Sequence, residues 1–193
     1  MPLVKRPVTN RTRKFSKAEY HEMTERGFFD GEHVELIDGE IVEMAAQKDE
    51  HAFSLLKIDR ACRAEFGPDF VYRIQMTFDA DTSQPEPDYL VMAGPIERAR
   101  KHPTSALLII EVSDTTLAYD RTRKSSLCAS RKVADYWIVN LTENTLEVRR
   151  RPARDANAEF GWSYASTLVL RKGEIVSPLA LKKGKVAVAD LLP

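Results

Sequence analysis

The sequence predicts an α/β fold, a mixed β-sheet with helices on its faces. Three observations carry that prediction. Residues 106–140 read strand, helix, strand, an order that implies a right-handed parallel crossover. Phe70 to Phe78 alternate with a period of two, as a strand with one buried face does. Ahead of both stand a capped helix and a hairpin with a two-residue Asp-Gly turn. With 193 residues, 43% hydrophobic and 30% charged, the chain is long enough for one domain with a real core.

Residues 1–14 are polar, basic and Pro-containing, and read as a loose tail ahead of a single domain over 15–193. Ser16 and Glu19 form a capping box, flanked by Phe15 and Tyr20 as a hydrophobic staple, so a helix starts here and ends at Gly27. A hairpin follows over about 33–45, turning at Asp38-Gly39. Asp49 reads as the cap of a second helix with Ala52, Leu55, Ile58, Cys62 and Phe66 on one face and Gly67-Pro68 as its stop. The alternating strand from Phe70 leads into a polar loop, 79–86, whose Pro85 and Pro87 deliver the chain to Asp88 in an extended conformation.

Tyr89 to Met92 is the next strand, and 94–105 is polar with a helical turn. Ala106 to Ser113 is an apolar run broken by Glu111, which reads as a strand buried on both faces. Thr115 or Thr116 caps a helix of about 117–131, and Asp135 to Asn140 returns as a buried strand. Strands at 145–149 and 162–170, a Lys172-Gly173 turn and a short segment over 185–192 complete the chain as edge strands and turns.

Composition excludes some chemistry. Twenty-nine basic residues balance 29 acidic ones, so any nucleic-acid surface must come from local clustering. The two cysteines form no Cys-x-x-Cys pair, which fits a reducing compartment. No apolar h-region and no membrane-length apolar window occur, and a cytoplasmic setting is expected. There is no His-x-x-x-His pair, no Gly-x-Ser-x-Gly elbow and no Gly-rich phosphate loop.

What remains is carboxylate chemistry. Asp88 and Glu111 are expected on adjacent strands, where two converging acids repel unless a cation holds both ionised. Taken singly, Asp88 also reads as a turn residue after proline and Glu111 as a strand-end carboxylate paired with an arginine. Lys124 follows on a polar helix with Asp120 four residues earlier on the same side, able to orient its ammonium group; the duller reading is a solvated face. Glu35 in the hairpin and His51 at the head of the second helix are weaker candidates, as solvent-facing and capping groups respectively. Basic clusters include Arg121/Arg123/Lys124 and Arg149-Arg150-Arg151, of which Arg121, Arg123, Arg149 and Arg150 are candidate phosphate contacts.

The capped helix, Val-Glu-Leu-Ile-Asp-Gly-Glu-Ile-Val-Glu-Met, the His51-headed helix, Pro87-Asp88, Leu-Ile-Ile-Glu111-Val-Ser, Tyr119-Asp120-x-x-x-Lys124 and Asp135-Tyr-Trp-Ile-Val together resemble the Uma2 family, also called DUF820, from about Phe15 to Leu192. That family is placed among the PD-(D/E)xK nucleases, and the resemblance implies a restriction-endonuclease-like core with its metal site on the two central strands. It makes Asp88 and Glu111 the paired acids. With the backbone carbonyl of Val112 they would hold Mg²⁺, or Mn²⁺ in its place. The superfamily's usual lysine position is Ser113 here, and Lys124 is the implied substitute, as migrated lysines are in some branches. Glu35 and His51 match recurring Uma2 positions. A Mg²⁺-dependent endonuclease acting on nucleic acid, with double-stranded DNA as the expected substrate, and working as a homodimer is implied. Two other readings stay open: a nucleic-acid-binding module with a decayed site, and a metal-dependent hydrolase of a small phosphoester.

Overall fold

The computed structural model describes residues 12–193, so the expected tail lies outside the described residues except for its last three positions. Of those, Arg13 pairs with Glu19 and Lys14 with Asp38. Helix α1 (Lys17–Glu25) begins at the Ser16–Glu19 capping box. The Phe15 N–H donates to the Gly39 carbonyl at 2.8 Å, which ties the entry of α1 to the hairpin. Strands β1 (Val34–Ile37) and β2 (Glu40–Glu43) turn at Asp38 and Gly39, with φ of 50° and 75°. Positive φ at both central residues is what a type I′ turn requires. A Cβ at Gly39 would also meet the Phe15 carbonyl at 2.9 Å.

The central sheet has six strands in the order β3 (Phe70–Ile74), β4 (Tyr89–Ala93), β5 (Leu108–Ser113), β6 (Asp135–Asn140), β7 (Thr145–Arg154), β8 (Trp162–Arg171). Only β5–β6 is parallel, and it is the strand pair expected to be joined by a helical crossover. Short strands β9 (Ile175–Val176) and β10 (Val186–Ala187) form a separate pair. Helix α2 (Asp49–Phe66) covers one face of the sheet. Leu55, Ile58, Cys62 and Phe66 pack there on Tyr89, Val91, Leu108, Ile110 and Trp137, together with the C-terminal Leu191 and Leu192. On the opposite face Ile37, Phe78, Leu127 and Cys128 meet Leu90, Ile109, Tyr136 and Ile138. Each fully buried side chain of this size is worth about 1.5–3 kcal/mol, which makes the two-faced sheet the main source of stability.

Several local expectations are corrected. Lys48, not Asp49, is the N-cap of α2, and it makes no side-chain capping bond; Asp49 is the first helical residue, where its charge favours the positive helix end. The alternating strand stops at Ile74, because Gln75 takes a positive φ of 49° and its N–H turns to the carbonyls of Pro87 and Asp88. Within β3 the buried residues are Val71 and Arg73, with Phe70 and Tyr72 half-buried. Strand β7 runs five residues past the expected end and lies inside the sheet, leaving β8 at the edge.

The helix expected over 117–131 runs from 117 to 130 in three parts: α3 (Leu117–Tyr119), a π-helical turn (Asp120–Lys124), and α4 (Ser125–Ser130). The Ser125 N–H reaches back five residues to the Asp120 carbonyl. The wide turn leaves carbonyls free for outside donors. Asp120 O also accepts from the Tyr136 hydroxyl (3.0 Å) and Arg121 O from Arg149 Nη1 (2.6 Å). Those bonds clamp the turn to β6 and β7. A π turn inside an α-helix is a frequent mark of a functional site, and this one brings Asp120 and Lys124 together into the interior.

Candidate active site

Side chains in a strand alternate between faces, so Glu111 shares the face of Ile109 on β5, the one that the 117–130 helix covers. Tyr89 pairs with Ile110 across β4 and β5, which sets Asp88, just before β4, opposite Glu111. Two bonds lock the pairing: the Asp88 N–H donates to Glu111 Oε2 at 3.1 Å, and the Val112 N–H donates to Asp88 Oδ2 at 2.8 Å. The His51 imidazole reaches in from the first turn of α2, with Nε2 3.1 Å from Asp88 Oδ2. Gln75 Nε2 donates to Asp88 Oδ1 at 3.2 Å.

Lys124 enters from the π turn. Its Nζ lies 3.1 Å from Glu35 Oε1 on the hairpin and 3.6 Å from Glu111 Oε1. All three side chains are almost completely buried. Glu35 Oε1 also accepts the Glu86 N–H at 2.9 Å, while Glu35 Oε2 and His51 Nδ1 are buried without a partner. The solvated readings of Lys124 and Glu35 are thereby overturned. Lys124 is drawn inward by the Glu35 and Glu111 carboxylates that face the π turn. Asp120 does not form the expected ion pair with Lys124. Its Oδ2 instead accepts from Ser113 Oγ and Thr116 Oγ1, each at 2.7 Å, so Ser113 is occupied in anchoring the helix to the end of β5.

The electrostatics follow from burial. Burial, with Asp88, Asp120 and Glu35 nearby, pushes the Glu111 carboxyl well above the usual carboxylate range even against the Lys124 ammonium. Burial also lifts Asp120. Asp88 goes the other way: burial opposes ionisation, but the His51 hydrogen bond, the two cations and the Val112 N–H hold it below its ordinary value. Lys124, despite burial, is held well above its ordinary value by Glu111, Glu35, Asp120 and Asp88, so it is charged. His51 is raised as well; burial works against its charge and Asp88 outweighs it. Four carboxylates thus share one ammonium and one imidazole.

The cleft above these groups is lined by His33, Lys48, Glu86, Asp114 and the loop 44–47 as well as the central acids. At its mouth Lys48 pairs with Asp114, and His33 Nε2 lies 3.3 Å from Glu86. Among the described residues no three His, Cys, Asp or Glu side chains are arranged as a metal-binding group. The Asp88 and Glu111 carboxylates expected to hold a metal lie side by side here, with Asp88 Oδ2 and Glu111 Oε2 each accepting a backbone N–H. The surplus of carboxylates and the unpartnered Glu35 Oε2 fit a divalent cation.

The four candidate phosphate-binding arginines have other partners. Arg121 pairs with Glu147 and Glu143, Arg123 with Glu40 and Glu159, Arg149 with Glu147 and Arg150 with Asp135. They brace the sheet and helix and offer few free donors. Gln75 and Thr116 join the site without a clear advance signal: the strand pattern ran through Gln75, and Thr116 was read as a backbone cap.

A family model described as "Putative restriction endonuclease" matches residues 18–188. The chain belongs to the Uma2 family. Its fold is also that of a solved protein described as "a putative nuclease belonging to DUF820" from Anabaena variabilis, with a TM-score of 0.69, 14% identity, and coverage of 92% of this chain and 97% of that chain. No curated protein matches it. Within this Uma2 chain the restriction-endonuclease-like arrangement of a central mixed sheet between helices is therefore shown. No described helix is long and apolar enough to cross a membrane.

Proposed function

We propose that this Uma2 chain is a Mg²⁺-dependent endonuclease that hydrolyses phosphodiester bonds, with DNA as its substrate. The observation that carries the reading is the convergence of Asp88 and Glu111 at the ends of β4 and β5 with the Lys124 ammonium 3.6 Å from Glu111. Asp88, Glu111 and the Val112 carbonyl would hold one Mg²⁺ or Mn²⁺, which when bound supplies Lewis acidity at a phosphate oxygen and an acidified water.

The chain's own residues do the rest. His51 and Gln75 fix the Asp88 carboxylate from two sides. Glu35 holds Lys124 in place, and the charged ammonium stabilises negative charge as it develops on the phosphate. Asp120, bonded to Ser113 and Thr116, pins the π turn that delivers Lys124. Lys124 would thus stand in for the lysine missing at position 113, supported by its place beside Glu111 and Glu35. Two copies, each serving one strand, would cut a duplex. The free, buried Cys62 and Cys128 fit a reducing cytoplasm.

A second reading has one observation in its favour. The cleft is recessed and its mouth carries Glu86 and Asp114, so a small phosphoester enters more easily than a duplex. Plasmid nicking with Mg²⁺ or Mn²⁺, run beside bis(p-nitrophenyl) phosphate hydrolysis, tests both readings on the native chain, Asp88→Asn, Glu111→Ala and Lys124→Ala. The nuclease reading expects nicking by the native chain alone. Equal nicking by all four proteins overturns it, and turnover of the small diester without nicking favours the alternative.

A further inference from the structure

The loop 94–105, between β4 and β5, contains a 3₁₀ turn (Ile96–Arg100) and gathers Arg98, Arg100, Lys101 and His102 around a groove of about 350 Å³. Among the described residues none of these four pairs with a carboxylate, in contrast to Arg121, Arg123, Arg149 and Arg150. Glu97 is the one acid of the loop. Arg98 Nη1 is spent on the Ala93 carbonyl at 2.8 Å, while Arg100, Lys101 and His102 are exposed. Thr104 and Ser105 add hydroxyl groups to the groove.

A patch of basic side chains is usually a solvated face. Here a second cation lies beneath it. Arg73 is 1% exposed, its Nη1 and Nη2 donate to the carbonyls of Ala99 (2.8 Å) and Thr77 (3.3 Å), and its Nε is buried without a partner. A buried guanidinium met only by carbonyl dipoles leaves its charge uncompensated and strengthens the positive field of the pole above it.

We infer that this pole is a second nucleic-acid contact, holding the phosphodiester backbone that flanks the bond cleaved in the cleft. The inference rests on the nuclease reading and supplies what the cleft lacks. The cleft mouth has its cations paired with acids, whereas nonspecific affinity comes from neutralised phosphates and released counterions. From Asp88 to Ala93 is five residues of strand, about 17 Å at ~3.3 Å per residue. That equals about five base-pair steps of duplex, each ~3.4 Å, which sets the spacing between the cleaved bond and the phosphates the loop would hold.

The test is fluorescence anisotropy of the full chain with a labelled short duplex, in Ca²⁺ instead of Mg²⁺, across a salt series. Arg100→Ala/Lys101→Ala is expected to bind at least about 10-fold more weakly, with the slope of log K against log salt reduced by about 1.8, at ~0.9 per phosphate contact. Lys101→Gln alone should lose about half that slope, and Arg100→Lys should keep the native affinity. In Mg²⁺ the double variant should show a raised KM with kcat unchanged. Equal affinity and slope in native and double variant overturn the inference and leave the nuclease reading standing. Salt-dependent binding that the double variant loses, without cleavage by the native chain, overturns the nuclease reading and leaves the basic pole. No binding by the native chain overturns the inference, whatever its activity.

Discussion

The two ends of the β4–β5 pair differ in how their charge is compensated. At the end where β4 begins, Glu111, Glu35 and Asp120 are buried around Lys124 with Asp88 half-buried beside them, and Glu111 is driven well above its ordinary pKa. At the other end, the loop 94–105 displays unpaired cations, and its Ala99 carbonyl turns back onto Arg73, a buried β3 residue with only carbonyl partners. One end is short of positive charge and the other of negative charge, although the chain as a whole is neutral. A net charge of zero therefore says little about binding when excesses of opposite sign are kept at opposite ends of one strand pair.

The strongest way to break this contrast is at the acidic end. Glu111→Ala removes a proposed ligand and the acceptor of the Asp88 N–H. Loss of nicking by about 10³-fold or more is expected, since metal-borne stabilisation of the transition state is worth several kcal/mol. Asp88→Asn, which keeps the shape, should show the same loss with a native circular-dichroism spectrum. Retained activity in either would place the chemistry elsewhere.

Lys124→Met comes next and reads out twice. Activity should fall by about 10²–10³-fold, as when one preorganised donor is lost. Stability should fall by about 3–5 kcal/mol, because Glu35 and Glu111 would be left buried without their cation. Adding Glu35→Gln should recover part of the stability and none of the activity. Urea melts of the single and double variants separate a structural lysine from one that also serves the reaction.

The acidic end was more legible in the sequence than the basic one, for physical reasons. A carboxylate in an apolar strand, as at Glu111, and one delivered by prolines, as at Asp88, are local anomalies that mark themselves. The capping box and the Asp-Gly turn are equally local, and both formed as read. The π turn was invisible, since its cause is tertiary: Tyr136 and Arg149 take up the carbonyls it frees. Without it Lys124 reads either as an ammonium oriented by Asp120 or as part of a solvated face. The buried Arg73 was not legible either, because period-two alternation gives two faces but not which one is covered. The arginines expected as phosphate contacts are paired with acids instead, and for Arg121, Arg123 and Arg150 those acids, Glu147, Glu40, Glu159 and Asp135, are distant in sequence.

Those paired arginines give a smaller test, away from both ends. Burial pushes Glu147 up, but hydrogen bonds from Arg121 and Arg149 win and hold it below its ordinary value of 4.5. A depressed folded-state pKa contributes stability that is present above the unfolded value and is lost as pH falls through the folded one. Acid should therefore destabilise the native chain below about pH 4.5, and Glu147→Gln should flatten that limb at a cost of about 1–3 kcal/mol near neutral pH. An unchanged acid limb would mean that the guanidinium groups here are not net stabilisers, and that pairing does not distinguish these arginines from Arg100.

The smallest effect is expected at the cleft mouth. Lys48 and Asp114 are paired with side-chain exposures of 66% and 36%, and an ion pair this open to solvent contributes about 0.2–1 kcal/mol. Lys48→Ala should shift Tm by no more than about 2–4 °C, yet it removes the cation nearest the entrance and makes the acidic end more negative. At low salt it should weaken the association of an anionic substrate, seen as a raised KM that converges on the native value as salt screens the mouth. A large fall in Tm instead would show that the loop 44–48 is held by this pair, and that the entrance to the acidic end is a structural element and not an electrostatic one.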